Sequence, residues 1–159
     1  MGLDITAYKK LHKVENPVLD EYGDPQNYDT QWKPGGSMDW SESVWPGKGY
    51  PIEPNAVYEW EESFNFRAGS YIGYNIWRDE LDKFKGNVAF QELIDFADNE
   101  GVIGTKLSQK LKEDFQRHHD EAQAFANSDD CQLKWFMDAY EEWETAFELA
   151  SNDGAIEFH

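Results

Sequence analysis

A chain of 159 residues with 32 acids against 14 bases carries a formal charge of −18. That excludes passive nucleic-acid binding, which draws its affinity from Lys and Arg neutralising phosphates, and it disfavours anionic membrane surfaces for the same reason. Such a charge suits a disordered chain, but seven Trp, eight Tyr and ten Phe supply a core, since each buried ring removes about 150–250 Å² from water.

The length fits a single domain, 1–159. The one cysteine, Cys131, rules out an intrachain disulfide and fits a reducing cytoplasm. It has no neighbouring His or basic cluster in sequence and reads as a structural thiol. The opening MGLDITAYKKL has no signal-peptide apolar run, and no stretch approaches the roughly 18 apolar residues of a membrane span. A soluble cytoplasmic protein is expected, with no membrane contact.

Residues 3–11 alternate Leu3, Ile5 and Ala7 against Asp4, Thr6 and Tyr8, which predicts a strand. Residues 16–56 hold all six prolines together with Trp32, Trp40 and Trp45. Proline breaks both helix and strand, so this stretch is expected to be a long irregular excursion. Its tryptophans predict an ordered wrap that packs rings onto the domain. Val57, Trp60, Phe64, Phe66 and Ala68 predict a second strand, or a hairpin interrupted near Glu62 and Ser63.

At Gly69-Ser70 the period changes to that of a helix. Tyr74, Trp77, Leu81 and Phe84 share one face, Ser70 is a good N-cap, and Gly86 ends the helix. A second helix is expected through Phe90, Leu93, Ile94 and Ala97, stopped by Asn99-Glu100-Gly101. A third starts near Thr105 and runs through Leu107, Leu111, Phe115, His118, Ala122 and Phe125. The fourth carries Phe136, Tyr140, Trp143, Phe147 and Ala150 on an apolar seam. After Asn152-Asp153-Gly154, residues 155–159 predict a short strand that could pair with residues 3–8. The expected class is α+β: about four helices on a small sheet.

MGLDITAY at the start, FRAGSYIGYNIWR (66–78), LIDFADNEGVIG (93–104) and AFELASNDGAIEFH at the end together resemble a group of small bacteriophage and prophage proteins. Those proteins open with Met-Gly-Leu-Asp-Ile and close on a similar Glu-Phe-His. The resemblance spans most of the chain outside the Pro/Trp-rich segment. It implies a mobile-element origin and a bacterial host cytoplasm, and it carries no catalytic residue onto this sequence.

Four constellations invite a chemical reading. Arg67, Ser70, Tyr71, Tyr74 and Arg78 sit at a strand-to-helix junction, where free amides and two of the few bases could bind a small anion or polar ligand, or serve a hydrolase. The plainer reading is a capped helix whose Arg67 neutralises nearby acids. His118, His119, Asp114 and Glu121 could offer metal ligands, but adjacent histidines on a helix point about 100° apart, so a packed His118 and a solvated His119 are expected, with no metal and no cofactor. Asp95, Asp98 and Glu100 could form an acid–base pair or simply a polar helix end.

The fourth is the acidic face of the last helix. From residue 128 to the end there are nine acids and one base, a formal −8. Asp138, Glu141, Glu144 and Glu148 are the candidate partner-binding residues. Glu141, Glu144 and Glu148 form a stripe whose spacing of about 6 Å per four residues approximates that of phosphates along a strand. Such a stripe could occupy the basic groove of a nucleic-acid-handling protein. The alternative is a solubility coat. No constellation outweighs an ordinary structural role strongly enough to predict catalysis.

Overall fold

The computed structural model describes residues 2–96 and 100–159. Strand β1 (Gly2–Lys9) is the centre of the fold, and its alternation places Leu3, Ile5 and Ala7 completely out of solvent on one side. After a short β2 (His12–Lys13) the chain enters the proline-rich excursion. It returns through β3 (Tyr58–Glu59) and β4 (Glu62–Ser70). Strand β4 pairs antiparallel with β1, with a shift of register between Leu3 and Asp4. The last strand, β6 (Ala155–Phe158), pairs with the other edge of β1, as the alternating ends of the sequence predict. A three-residue strand, β5 (Gly101–Ile103), completes the antiparallel order β4-β1-β6-β5. Strands β2 and β3 form a separate two-stranded ribbon.

The fold is α+β, but it has six helices among the described residues, five of them longer than six residues, where the sequence predicts about four. Two differences account for this. Helix α1 (Gly35–Val44) lies inside the excursion read as irregular. Its prolines flank it, with Pro34 just before the start and Pro46 just beyond the end, where proline does not interrupt a helix. The helix expected from Thr105 to Phe125 is two, α4 (Thr105–Arg117) and α5 (His119–Ala126). They meet at His118, which leaves helical geometry (φ −102°, ψ 12°) while its ring sits 5.9 Å from that of Phe90.

Helix α2 (Tyr71–Lys85) begins where the change of period places it. The Ser70 hydroxyl accepts from the Gly73 amide at 2.9 Å, and Gly86 follows its last turn. Helix α3 is one turn, Gln91–Ile94, and the expected Ala97 and Asn99 positions lie outside the described residues. Helix α6 (Phe136–Ala150) buries the whole predicted seam. Trp143 is its hub. Its ring stacks on Trp77 at 5.9 Å, meets Phe66 edge-on at 5.0 Å and lies 5.6 Å from Phe158.

The sheet has two different faces. One carries Leu3, Ile5, Ala7, Ile103, Ile156 and Phe158 into the helical core. The other is divided. Half of it, Tyr8, Val102 and Ala155, is covered by Trp32, Met38, Ile52 and Tyr58 of the excursion and its return. Tyr8 stacks on Trp32 at 4.7 Å, and Trp45 sits 4.7 Å from Phe96. The excursion is therefore a second layer on the sheet. The uncovered half carries a polar row: Asp4, Thr6, Asn65, Arg67 and His159.

Candidate functional site

The strand-to-helix junction does not form one pocket. Arg67 makes a bidentate pair with Asp4, its Nε and a terminal nitrogen each donating at 2.8 Å. That contact holds the Asp4 carboxyl below the usual carboxylate range and raises Arg67 in turn. Ser70 is occupied as the cap of α2. Tyr74 is fully buried and donates its hydroxyl to the Phe96 carbonyl at 3.1 Å. Arg78 lies 4.8 Å from the Tyr74 ring centre and donates to the carbonyls of Ile94 and Phe96 and to the Asn75 amide oxygen. Tyr74 and Arg78 thus tie α2 to the segment after α3. Tyr71 points elsewhere, into a cleft described below.

The structure does bring Arg67 toward the acidic helix. A groove of about 220 Å³ between β4 and α6 is lined by Phe66, Arg67, Trp135, Asp138 and Glu142 among others. Burial, with Asp138 adding to it, pushes the Glu142 carboxyl up.

On α6, Asp138, Glu141 and Glu148 are exposed, and none has a basic side chain within 4 Å among the described residues. Glu144 differs. It lies on the flank facing α5, where its carboxylate meets His119 Nδ1 at 2.8 Å. The expected stripe of Glu141, Glu144 and Glu148 is therefore broken at its centre, and the outward set is Asp138, Glu141 and Glu148. His119 is in contact with Glu144 and not simply solvated, whereas His118 packs as expected and reaches Glu121 at 3.4 Å. Asp114 turns from the histidines to Lys110, at 2.5 Å, and accepts from the Phe90 amide. Among the described residues no three His, Cys, Asp or Glu side chains converge as metal ligands. Cys131 lies before α6, half-buried, and donates weakly to the Leu133 carbonyl.

Of the three acids near the end of α3, Asp95 accepts from Gln91 at 2.8 Å and Asp98 lies outside the described residues. Glu100 lines the cleft that also receives Tyr71. This cleft, of about 430 Å³, is bounded by Gly36, Ser37 and Trp40 of α1, Tyr71 at the start of α2, and Glu100 just before β5. Trp40 is 41% exposed, unlike the buried Trp32. No basic side chain lines the cleft among the described residues.

Glu157 is a half-buried carboxylate of the sheet. It stands on the outer face of β6, where the Tyr8 hydroxyl donates to it at 3.3 Å. Burial pushes its carboxyl up, against the opposing influence of His159, Trp32 and Tyr8. A carboxylate whose folded-state pKa is raised weakens the fold once it ionises. Glu157→Gln is therefore expected to stabilise the protein at pH 7. The gain should vanish below the ordinary Glu range near pH 4.3, where both states of the wild type are protonated. Urea denaturation of both proteins at pH 7 and pH 4 measures this, and an equal difference at both pH values would refute it.

No protein-family model, curated protein or solved structure matches this chain. The functional reading therefore rests on the chain's own surfaces. Of these, the outward positions Asp138, Glu141 and Glu148 of α6 were legible from helical spacing. The cleft was not, because Trp40, Tyr71 and Glu100 come from three separated segments. The sequence singled out Tyr71 and Glu100 in two different constellations and Trp40 in a segment read as irregular, with nothing to join the three.

Proposed function

We propose that this protein is an acidic interaction module that engages a basic protein surface, of the kind that nucleic-acid-handling factors present. The observation that carries this reading is the outward set Asp138, Glu141 and Glu148 on a chain of formal charge −18. Elsewhere the carboxylates near lysines and arginines are tied down: Asp4 by Arg67, Glu53 by Lys13, Glu61 by Lys10, Glu121 by Lys85, and Glu92 and Asp114 by Lys110. On α6 none of the three exposed carboxylates is in an ion pair among the described residues, although Glu148 shares a depression with Lys9 and Lys112, so a partner supplying Lys and Arg gains attraction without first breaking internal pairs. Among the described residues no helix is long and apolar enough to cross a membrane. With the resemblance read from four segments of the sequence, the reading makes this a mobile-element protein. It would act in the bacterial cytoplasm on a host or competitor factor, as an inhibitor or in counter-defence, by presenting carboxylates where that factor expects phosphates.

The test is charge reversal. Asp138→Lys, Glu141→Lys and Glu148→Lys together change the face by six units, and all three positions lie off the buried seam. Capture of basic proteins from bacterial lysate by the wild type should fall steeply between 0.05 and about 0.3 M salt, since exposed charges are screened beyond ~10 Å at 0.1 M. The triple variant should capture at least about tenfold less at low salt while keeping the wild-type circular dichroism and melting curve. Equal capture by both proteins at both salt levels would reject the reading.

A further inference from the structure

We infer that the cleft between α1 and the start of α2 is a receptor for a single arginine side chain of a basic partner, with Trp40 and Tyr71 as stacking walls and Glu100 as counter-charge. The inference rests on the acidic-module reading and names the contact that would give it specificity. Three features of the cleft point to a guanidinium. Trp40, which packs edge-on against Trp45 at 5.5 Å, and Tyr71 both line it, and among the described residues no cationic side chain lies over either ring. Planar guanidinium groups stack on such faces and are attracted by the ring quadrupole. Glu100 is an exposed carboxylate with no ion-pair partner among the described residues, available to accept from the guanidinium N–H fork.

The third feature is space. A Cβ added to Gly36 would meet nothing within 4 Å, so the α1 side of the cleft is open. The first turn of α1 does place a partial positive charge, roughly half an elementary charge, against a cation. The full charge of Glu100 exceeds it, and the −18 of the whole chain concentrates cations at its surface. The same charge disfavours phosphate-bearing ligands for these aromatic walls. A small polyanion is thereby set aside in favour of a cationic side chain.

The probes are three capped tripeptides, Gly-Arg-Gly, Gly-Lys-Gly and Gly-citrulline-Gly, titrated into the 15N-labelled protein while the Trp indole resonances are followed. Trp40→Phe assigns the Trp40 signal. The arginine peptide is expected to shift that signal saturably. The citrulline peptide, planar but neutral, and the lysine peptide, charged but not planar, should each bind at least about tenfold more weakly. Two variants alter the cleft differently: Glu100→Gln removes the counter-charge, and Gly36→Leu fills the space from a helix position whose φ is not positive. Each should weaken the arginine peptide about tenfold or more, with a melting temperature no lower than that of the wild type. Reversal of Asp138, Glu141 and Glu148 should leave peptide affinity within about twofold, apart from a salt-dependent change, while cutting capture of whole partners at least about tenfold at low salt. Non-saturable shifts, citrulline binding as tight as arginine, or arginine binding unaffected by both cleft variants would each overturn the inference. Capture that depends on α6 while the peptide fails to bind leaves the acidic-module reading standing and removes only this receptor.

Discussion

Trp143→Ala should be the most damaging single substitution in the helical core, with a loss of about 3–5 kcal/mol. Trp143 is 1% exposed and sits at the meeting point of α6, α2 and the sheet. Its ring contacts those of Phe66 on β4, Tyr74 and Trp77 on α2, Phe147 on α6 and Phe158 on β6. Truncation removes the transfer energy of the ring and leaves a void that none of these rigid rings can close without leaving its rotamer. Domains of this size are generally stable by only about 5–15 kcal/mol, so the variant is expected to be partly unfolded at 37 °C. Urea denaturation followed by circular dichroism measures the loss. A shift below about 1 kcal/mol would show that the ring cluster repacks, against the account of a rigid aromatic hub. Trp143→Phe keeps part of the ring and should cost less than half as much.

Gly104→Ala should act on the other layer. Gly104 has φ −84° and ψ −176°, a conformation open to any residue, so its glycine is not required by backbone geometry. It is required by proximity: a Cβ there would run into the carbonyl oxygens of Gly49 and Tyr50. The Gly104 amide also donates to the Lys48 carbonyl at 2.8 Å. One added methyl group therefore pushes the end of the excursion away from β5 and breaks the bond that holds it. The expected cost is about 2–4 kcal/mol, with the damage concentrated between residues 45 and 56. Limited proteolysis should cut the variant in that segment well before the helices, whereas the wild type resists there. Gly36→Ala is the control. Its Cβ meets open space and it lies within a helix, so it should be neutral or stabilising by up to about 1 kcal/mol. Equal protease resistance in the wild type and Gly104→Ala would mean that the excursion is not anchored at this contact.

The parts of the fold legible in the sequence are those whose physics is local. Ser70 announces α2 because a hydroxyl before a helical period caps free amides, and it does so here. The α6 seam was readable because a helix buried on one side must repeat its apolar residues every three or four positions, and all five predicted residues are buried. The alternation in β1 and the end of the chain sufficed to bring β1 and β6 together. Helix α1 was hidden because its sequence, GGSMDWSESV, opens on two glycines and buries only Met38 and Ser41. Its place is set by packing on β5 and not by propensity. The break at His118 was hidden for the opposite reason. The apolar period continues through it, so the pattern alone reads as one helix. The loss of Glu144 from the outward acidic stripe needed the position of His119 on a different helix, which no spacing within α6 reports. The cleft needed three segments to be placed at once, and so did the pairing of Arg67 with Asp4.

The pairing of the first strand with the last has a consequence for how the protein is made. Asp4 and His159 exchange both backbone hydrogen bonds, so one side of the central strand is completed by residues from the far end of the sequence. On a ribosome adding about 5–20 residues per second, β4 can join β1 early, but β6 arrives on the order of 10 s later. Throughout that interval the nascent chain displays an unpaired strand edge with Leu3, Ile5 and Ala7 beside it, a template for joining neighbouring copies on the same polysome. Mutual repulsion between strongly anionic nascent chains opposes that encounter. The acidity of the chain thus acts against self-association during its synthesis.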